Sequence, residues 1–241
     1  MTKQTILLDL DDTLIHCNKY FKETVDTYIS KMQEWFPISK YEIREKQLEF
    51  DLESVANYGL HSARFPQSFV STYKYYSEKF NLDIKTQHID EVYTIGASVF
   101  EIEVQPLPGM YDVLNQLTQQ GHALYLYTGG DHSNQNRKIV SLELETYFQD
   151  RVFIFEHKNT ASLKQVLSKI NSRPSSTWMI GNSLKTDIKP AIEVGINAIH
   201  IPSELEWAYN NIELEEKYYT LNSLQEVPNY MRQLSQRNLT S

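Results

Sequence analysis

The sequence predicts an α/β protein: a parallel sheet with helices on both faces, interrupted near its start by an all-helical insertion. Three observations carry this. Thr5 to Leu10 is a short β-prone run ending in acids, which fits a buried strand. From Asn18 to Phe100 the apolar residues recur at helical spacing. Past Val104 strand-like and helical stretches alternate, and such alternation builds a parallel sheet whose ligands bind at the carboxyl ends of its strands.

Within the insertion, Phe21, Val25, Tyr28, Ile29, Met32 and Phe36 fall on one helical face, and Pro37 is placed to end that helix. Phe69, Tyr73, Tyr76 and Phe80 repeat the pattern beyond Pro66, and Ile89, Val92, Tyr93 and Val99 follow it loosely. The expectation is about four helices. Pro106, Pro108 and Gly109 then form a turn, and Met110, Val113, Leu114 and Leu117 mark a helix that Gly121 can terminate. Strands are expected at Ala123 to Tyr127, Val152 to Phe155, Trp178 to Ile180 and Asn197 to Ile201. Helical patterns lie between them, around Ile139 to Phe148, around Leu163 to Ile170, and in a short helix with Pro190 near its start and Gly195 at its end. The division that follows is a core domain of residues 1–14 and 104–241 and a helical domain of residues 15–103.

Composition limits the function classes. The chain has 241 residues, 41% hydrophobic and 22% charged, with 23 Lys plus Arg against 31 Asp plus Glu, a net charge of −8. That is ordinary globular material, and an isoelectric point near 5.4 argues against a general nucleic-acid binder, which carries a basic stripe. A single Cys cannot close an internal disulfide, so the fold does not depend on an oxidising compartment and the cytoplasm is the default location. No apolar stretch approaches a membrane span, and the first residues are too short and too acidic a run for a signal sequence.

Four polar clusters follow successive expected strands. Asp9-Leu10-Asp11-Asp12-Thr13-Leu14 follows the first, and alternation places Asp9 and Asp11 on one side. Two carboxylates so close repel, so the pair suits metal binding or divided acid and nucleophile roles; an acidic turn with Asp12 or Thr13 capping a helix is the plainer reading. Thr128-Gly129-Gly130 ends the second strand and offers a hydroxyl with flexible backbone N–H groups, suited to phosphate oxygens or simply to a turn. It is neither a dinucleotide fingerprint nor a Walker loop. Lys158 follows the third strand, and Gly181-Asn182-Ser183 with Asp187 follows the fourth. A parallel sheet would bring all four together.

In order and over essentially the whole chain, these clusters resemble the four motifs of the haloacid dehalogenase-like (HAD) hydrolase superfamily, in its phosphatase branch with a helical cap inserted after the first motif. The resemblance implies a Rossmann-like core in which Asp9 is the nucleophile and Asp11 the general acid and base, with an aspartyl-phosphate between the two halves of the reaction. It implies Mg²⁺ held by the Asp9 carboxylate, the Asp11 carbonyl and Asp187, and phosphoryl oxygens held by Thr128, the Gly129 N–H and Lys158. Asp11 itself favours phosphoryl transfer, because in the dehalogenase branch that position is usually not Asp. Asn182 departs from the pattern, which often has Asp there; Asn keeps an oxygen acceptor without charge and suits a water-mediated place near the metal. The insertion then corresponds to a cap that closes over a small soluble phosphorylated metabolite, and Arg64, near Pro66, could grip a second anionic group. Alternatives are a sugar phosphomutase or a non-catalytic binding protein of the same fold. A monomer or weak homodimer without membrane or nucleic-acid partners completes the expectation.

Overall fold

The solitary strand-like run at the N-terminus becomes the middle of the sheet. The computed structural model describes residues 3–210 and 212–237. Among them, β1 (Thr5–Leu8), β2 (Ala123–Gly129), β3 (Val152–Phe155), β4 (Thr177–Gly181), β5 (Asn197–His200) and β6 (Tyr219–Thr220) form one sheet in the order β3-β2-β1-β4-β5-β6. Every neighbouring pair is parallel. The helices are α1 (Asn18–Trp35), α2 (Lys40–Tyr58), α3 (Phe65–Lys79), α4 (Thr86–Ser98), α5 (Met110–Gln119), α6 (His132–Ser141), α7 (Glu145–Phe148), α8 (Thr160–Ile170), α9 (Lys189–Glu193) and α10 (Val227–Arg237). Winding runs one way from β1 through β2 to β3 and the other way through β4 and β5. The switch point therefore lies at the carboxyl end of β1, where such sheets bind ligands.

β1 can occupy the centre because it is apolar on both faces: Ile6, Leu7 and Leu8 are all fully buried. On one face Leu7, Tyr127, Met179 and Ala198 pack with Leu163 and Val166 of α8 and Ala191 of α9. On the other, α5 lies against β2 and α10 and buries Met110, Val113, Leu114 and Leu117. Backbone contacts divide the chain into two units, residues 1–18 with 104–241, and residues 19–103.

Two stretches differ from the sequence reading. The pattern from Ile139 to Phe148 is two helices, broken where Glu143 adopts a left-handed φ of 51°. The first of them, α6, starts at the Asp131 cap, because its opening turns are polar and carry no apolar period. Ahead of Pro190 the chain forms a π-type turn, Leu184–Ile188, before the short α9.

The helical unit, taken by itself, is built on an aromatic core. Tyr28, Ile29, Met32 and Phe36 of the first helical stretch meet Phe69, Tyr73 and Tyr76 of α3 and Val92 of α4. The Tyr28 ring stacks on Phe69 at 4.1 Å and its hydroxyl donates to the Phe69 carbonyl at 3.0 Å, so its polar end is satisfied where it is buried. Gly96 lets α4 pack close to α3: a Cβ there would stand 2.8 Å from the Pro66 Cα. Tyr93, placed by the loose period on the apolar face, is 38% exposed. Along α2 the buried residues are Ile43, Gln47, Asp51 and Val55, spaced by four, so a carboxylate sits in an inward-facing stripe.

Candidate active site

Asp9 is the first residue beyond β1, and its N–H continues the pairing with β4 by donating to the Ile180 carbonyl at 2.9 Å. Its side chain has almost no exposure, and each oxygen is held. Lys158 Nζ stands 2.5 Å from Oδ1, and Thr13 Oγ1 donates to Oδ2 at 2.9 Å. Thr13 has one hydrogen, spent on Asp9, and its oxygen accepts the Asn182 N–H at 3.1 Å. Burial pushes the Asp9 carboxyl up to about 7, with Lys158 opposing the shift and Asp187 adding to it. The loop holding this geometry turns at Asp12, whose φ is 57°. The Asp12 carboxylate accepts the N–H groups of Cys17 and Asn18 at 2.9–3.1 Å, so the capping role open to it in the sequence is realised at the entry to α1.

Lys158 reaches Asp9 from two strands away. It follows β3, and the next residue, Asn159, starts α8 with a capping box that fixes the direction of the loop. Its Nζ also lies 2.5 Å from Asp187 Oδ1 and 4.9 Å from the centre of the Tyr127 ring. Two flanking carboxylates hold the lysine well above its usual range despite burial. Losing Lys158 would leave two buried carboxylates without their counter-charge, at a cost of roughly 3–5 kcal/mol, far above that of any surface pair.

Asp187 is fully buried on the π-type turn, and its Oδ2 accepts the Ser183 N–H at 2.9 Å. Its Oδ1 has the Lys158 ion pair but no well-directed hydrogen bond. Gly181 makes room for it, since a Cβ at that position would overlap the carboxylate. Asn182 is buried, its carbonyl lies 2.9 Å from His200 Nε2, and its side-chain oxygen is 3.4 Å from Thr13 Oγ1. It therefore touches Asp9 only through Thr13.

Asp11 turns to a different set of groups. Lys138 Nζ is 2.7 Å and 3.0 Å from its two oxygens, and Gln135 Nε2 donates to Oδ2 at 2.9 Å. Burial, the largest single influence, would raise the Asp11 carboxyl, but Lys138, Gln135 and Cys17 together outweigh it and the group lies below its ordinary value. Gln135 Nε2 also lies 2.6 Å from Thr128 Oγ1 and 2.9 Å from the Gly129 carbonyl. Thr128 is fully buried at the end of β2.

Asp9, Lys158, Asp187 and Asn182 thus form one bonded network, and Asp11, Thr128 and Gly129 a second, joined through Leu10. Arg64 belongs to the helical unit, where it is exposed and stacks over the Tyr58 ring at 4.1 Å. Gln135, Lys138 and His200 were not singled out by sequence reasoning. A signal did exist for the first two: α6 is short of apolar residues, so its inward face has to be polar, and Gln135 and Lys138 are three apart on it.

The oxygens present suit a hard divalent cation. Among the described residues no three Asp, Glu, His or Cys side chains converge. Mg²⁺ needs only one or two carboxylates with waters and a substrate oxygen. Asp9 and Asp187 bring two carboxylates against one ammonium, and Asp187 Oδ1, whose partner is that ammonium, keeps a lone pair for a further cation.

These features define an α/β protein with a parallel sheet, a buried, lysine-paired carboxylate at its switch point and a separate helical unit. The description of the haloacid dehalogenase-like hydrolases matches residues 3–195, and the chain belongs to that family. It is 24% identical to the glyceraldehyde 3-phosphate phosphatase of Pyrococcus furiosus over 98% of this chain and 94% of that protein. It is 26% identical to the enzyme of the same name from Methanocaldococcus jannaschii, over 95% and 97%. Among solved structures, a haloacid dehalogenase-like family hydrolase from Xanthomonas campestris superposes with a TM-score of 0.79, at 20% identity and 99% coverage of both chains. The magnesium-bound HAD-hydrolase YfnB of Bacillus subtilis gives 0.67, at 17% identity over 96% of this chain and 99% of that one.

Proposed function

We propose that this enzyme is a Mg²⁺-dependent phosphatase that hydrolyses a small phosphomonoester through an aspartyl-phosphate on Asp9. The observation that carries the reading is the Asp9 carboxylate itself, buried at the switch point and oriented by Lys158 and Thr13. An Asp9 oxygen attacks phosphorus, the ester P–O bond breaks, and the leaving oxygen takes the proton that Asp11 has gained in the complex with its anionic substrate. Water then attacks the same phosphorus, the P–O bond to Asp9 breaks, and Asp11 receives the proton of that water. Ester and water become alcohol and phosphate, and both carboxyl groups return to their starting state. Lys158, the Thr128 hydroxyl and the Gly129 N–H meet the phosphoryl oxygens, so an anionic nucleophile can approach an anionic ester.

Asp9, Asp187 and the Asp11 carbonyl would hold Mg²⁺, with Asn182 acting through a water. When bound, the cation supplies charge neutralisation between carboxylate and phosphate. The names of the P. furiosus and M. jannaschii relatives favour a three-carbon phosphate ester among candidate substrates. Arg64 is a candidate contact for a second anionic group. We take the enzyme to work in the cytoplasm as a monomer or weak homodimer; no helix among the described residues is long and apolar enough to cross a membrane.

A panel of phosphometabolites with Mg²⁺ tests the reading: release of inorganic phosphate from at least one small ester is expected, and silence across sugar, triose and nucleotide phosphates would overturn it. The metal assignment has its own test in Gly181→Ala. A methyl group there evicts the Asp187 carboxylate, so the Mg²⁺ concentration giving half-maximal activity should rise about tenfold or more. A metal titration identical to that of the parent would remove Asp187 from the metal site.

A further inference from the structure

Among the described residues the Asp11 carboxylate has three hydrogen-bond donors as partners, the Lys138 ammonium, the Gln135 amide and the Cys17 thiol. Lys138 is buried to 7% side-chain exposure on a helix otherwise short of apolar residues. Burying an ammonium costs several kcal/mol unless it is paired, so its place is explained by Asp11 or not at all. Gln135 is more constrained still. Its Nε2 carries two hydrogens but has three oxygens within 2.9 Å, from Asp11, Thr128 and Gly129. By accepting from that amide, Thr128 keeps its own hydroxyl hydrogen for a phosphoryl oxygen. The turn before α6 is shaped to this side chain: Gly130 has a φ of 140°, and a Cβ there would stand 2.9 Å from Gln135 Cγ.

We propose that Gln135 and Lys138 are positioning residues for the hydrolytic half of the reaction, holding the Asp11 carboxylate where it receives a proton from the attacking water and tying it to Thr128. The inference rests on the aspartyl-phosphate reading. It adds that α6 places the base, whereas β1, β3 and β4 place the nucleophile and its counter-charges. In the step concerned, water attacks phosphorus, the P–O bond to Asp9 breaks, and the water proton passes to Asp11. A clamp serving that step leaves the first half largely alone when the leaving group is an aryl oxide, which departs without protonation.

The test compares phosphorylation with turnover in the Mg²⁺-loaded protein, using p-nitrophenyl phosphate. Lys138→Met should keep single-turnover release of nitrophenolate, with enzyme in excess, within about threefold of the parent while kcat falls about 30- to 100-fold and KM falls with it. Acid-quenched samples should then show phosphorylated protein accumulating. Gln135→Met, which leaves the ion pair intact, should show the same signature at about tenfold, and it carries the test should Lys138→Met not fold. Lys138→Arg should restore most of kcat. Equal loss in single-turnover release and kcat would mark α6 as mere scaffolding and overturn the proposal, as would a Lys138→Met kcat within about twofold of the parent. Turnover surviving in Asp9→Asn is a different failure: it would overturn the aspartyl-phosphate reading itself.

Discussion

Asp9→Asn should lower phosphate release by at least about a thousandfold and, in metal-free protein at pH 8, raise the melting temperature. The first effect follows from the amide's inability to attack phosphorus. The second follows from burial: the Asp9 carboxyl is pushed up to about 7 because water is excluded and Asp187 is close. A carboxyl raised in the folded state contributes stability below its unfolded value near 4, and loses it as pH climbs through 7. At pH 8 the parent therefore carries a destabilising charge that Asn lacks. The variant also forfeits the Lys158 ion pair, but that attraction is already contained in the raised value. Below about pH 4 the two proteins should melt alike. Paired measurements of turnover and melting across pH 4–8 check both parts. A melting temperature lowered at every pH would make Asp9 a structural residue, and unchanged turnover would remove it as nucleophile.

The largest effect on stability outside the site should come from Asp51→Asn. Asp51 is 6% exposed on the inward stripe of α2, and burial alone pushes its carboxyl from 3.8 up to about 7. At 1.36 kcal/mol per pH unit, that interval is about 4 kcal/mol, an upper bound on what ionising the group takes from the folded state. The sign matches that of Asp9: stability is present below the unfolded value and lost as pH rises toward 7. Chemical denaturation should therefore show the parent weakening between about pH 4 and pH 8 relative to the variant, with Asp51→Asn the more stable at pH 8. A variant less stable at pH 8 would mean the carboxylate is ionised and bonded in the folded state.

Much of this molecule could be read from residue pattern because its pattern and its physics agree. The buried strand Ile6-Leu7-Leu8, the helix face Met110-Val113-Leu114-Leu117 and the aromatic period of α1 and α3 are set by apolar burial, which leaves a period in the sequence. Asp9, Thr128, Lys158 and Asp187 stood out because each lies at, or in the loop or turn just beyond, the carboxyl end of a strand. The six-strand parallel sheet agrees with the expected fold class. What escaped has no period. The break at Glu143 is a backbone dihedral, and the start of α6 is a polar cap followed by polar turns. Gln135 and Lys138 belong to those polar turns, and what they face is Asp11, more than 120 positions earlier in the chain.

The central place of β1 also governs the order in which this protein can be made. Asp9 and Lys158 touch although 149 positions separate them, and β1 needs both β2 and β4 beside it. A ribosome delivers β1 first and β4 long after, whereas residues 19–103 contain all the chain their own aromatic core requires. The helical unit can mature while the nascent enzyme is half synthesised, but its first strand waits, apolar on both faces and unpaired, until residue 181 has emerged. Asp9 is thus among the last residues of the core to find its neighbours, and until then its strand is an apolar, unpaired edge.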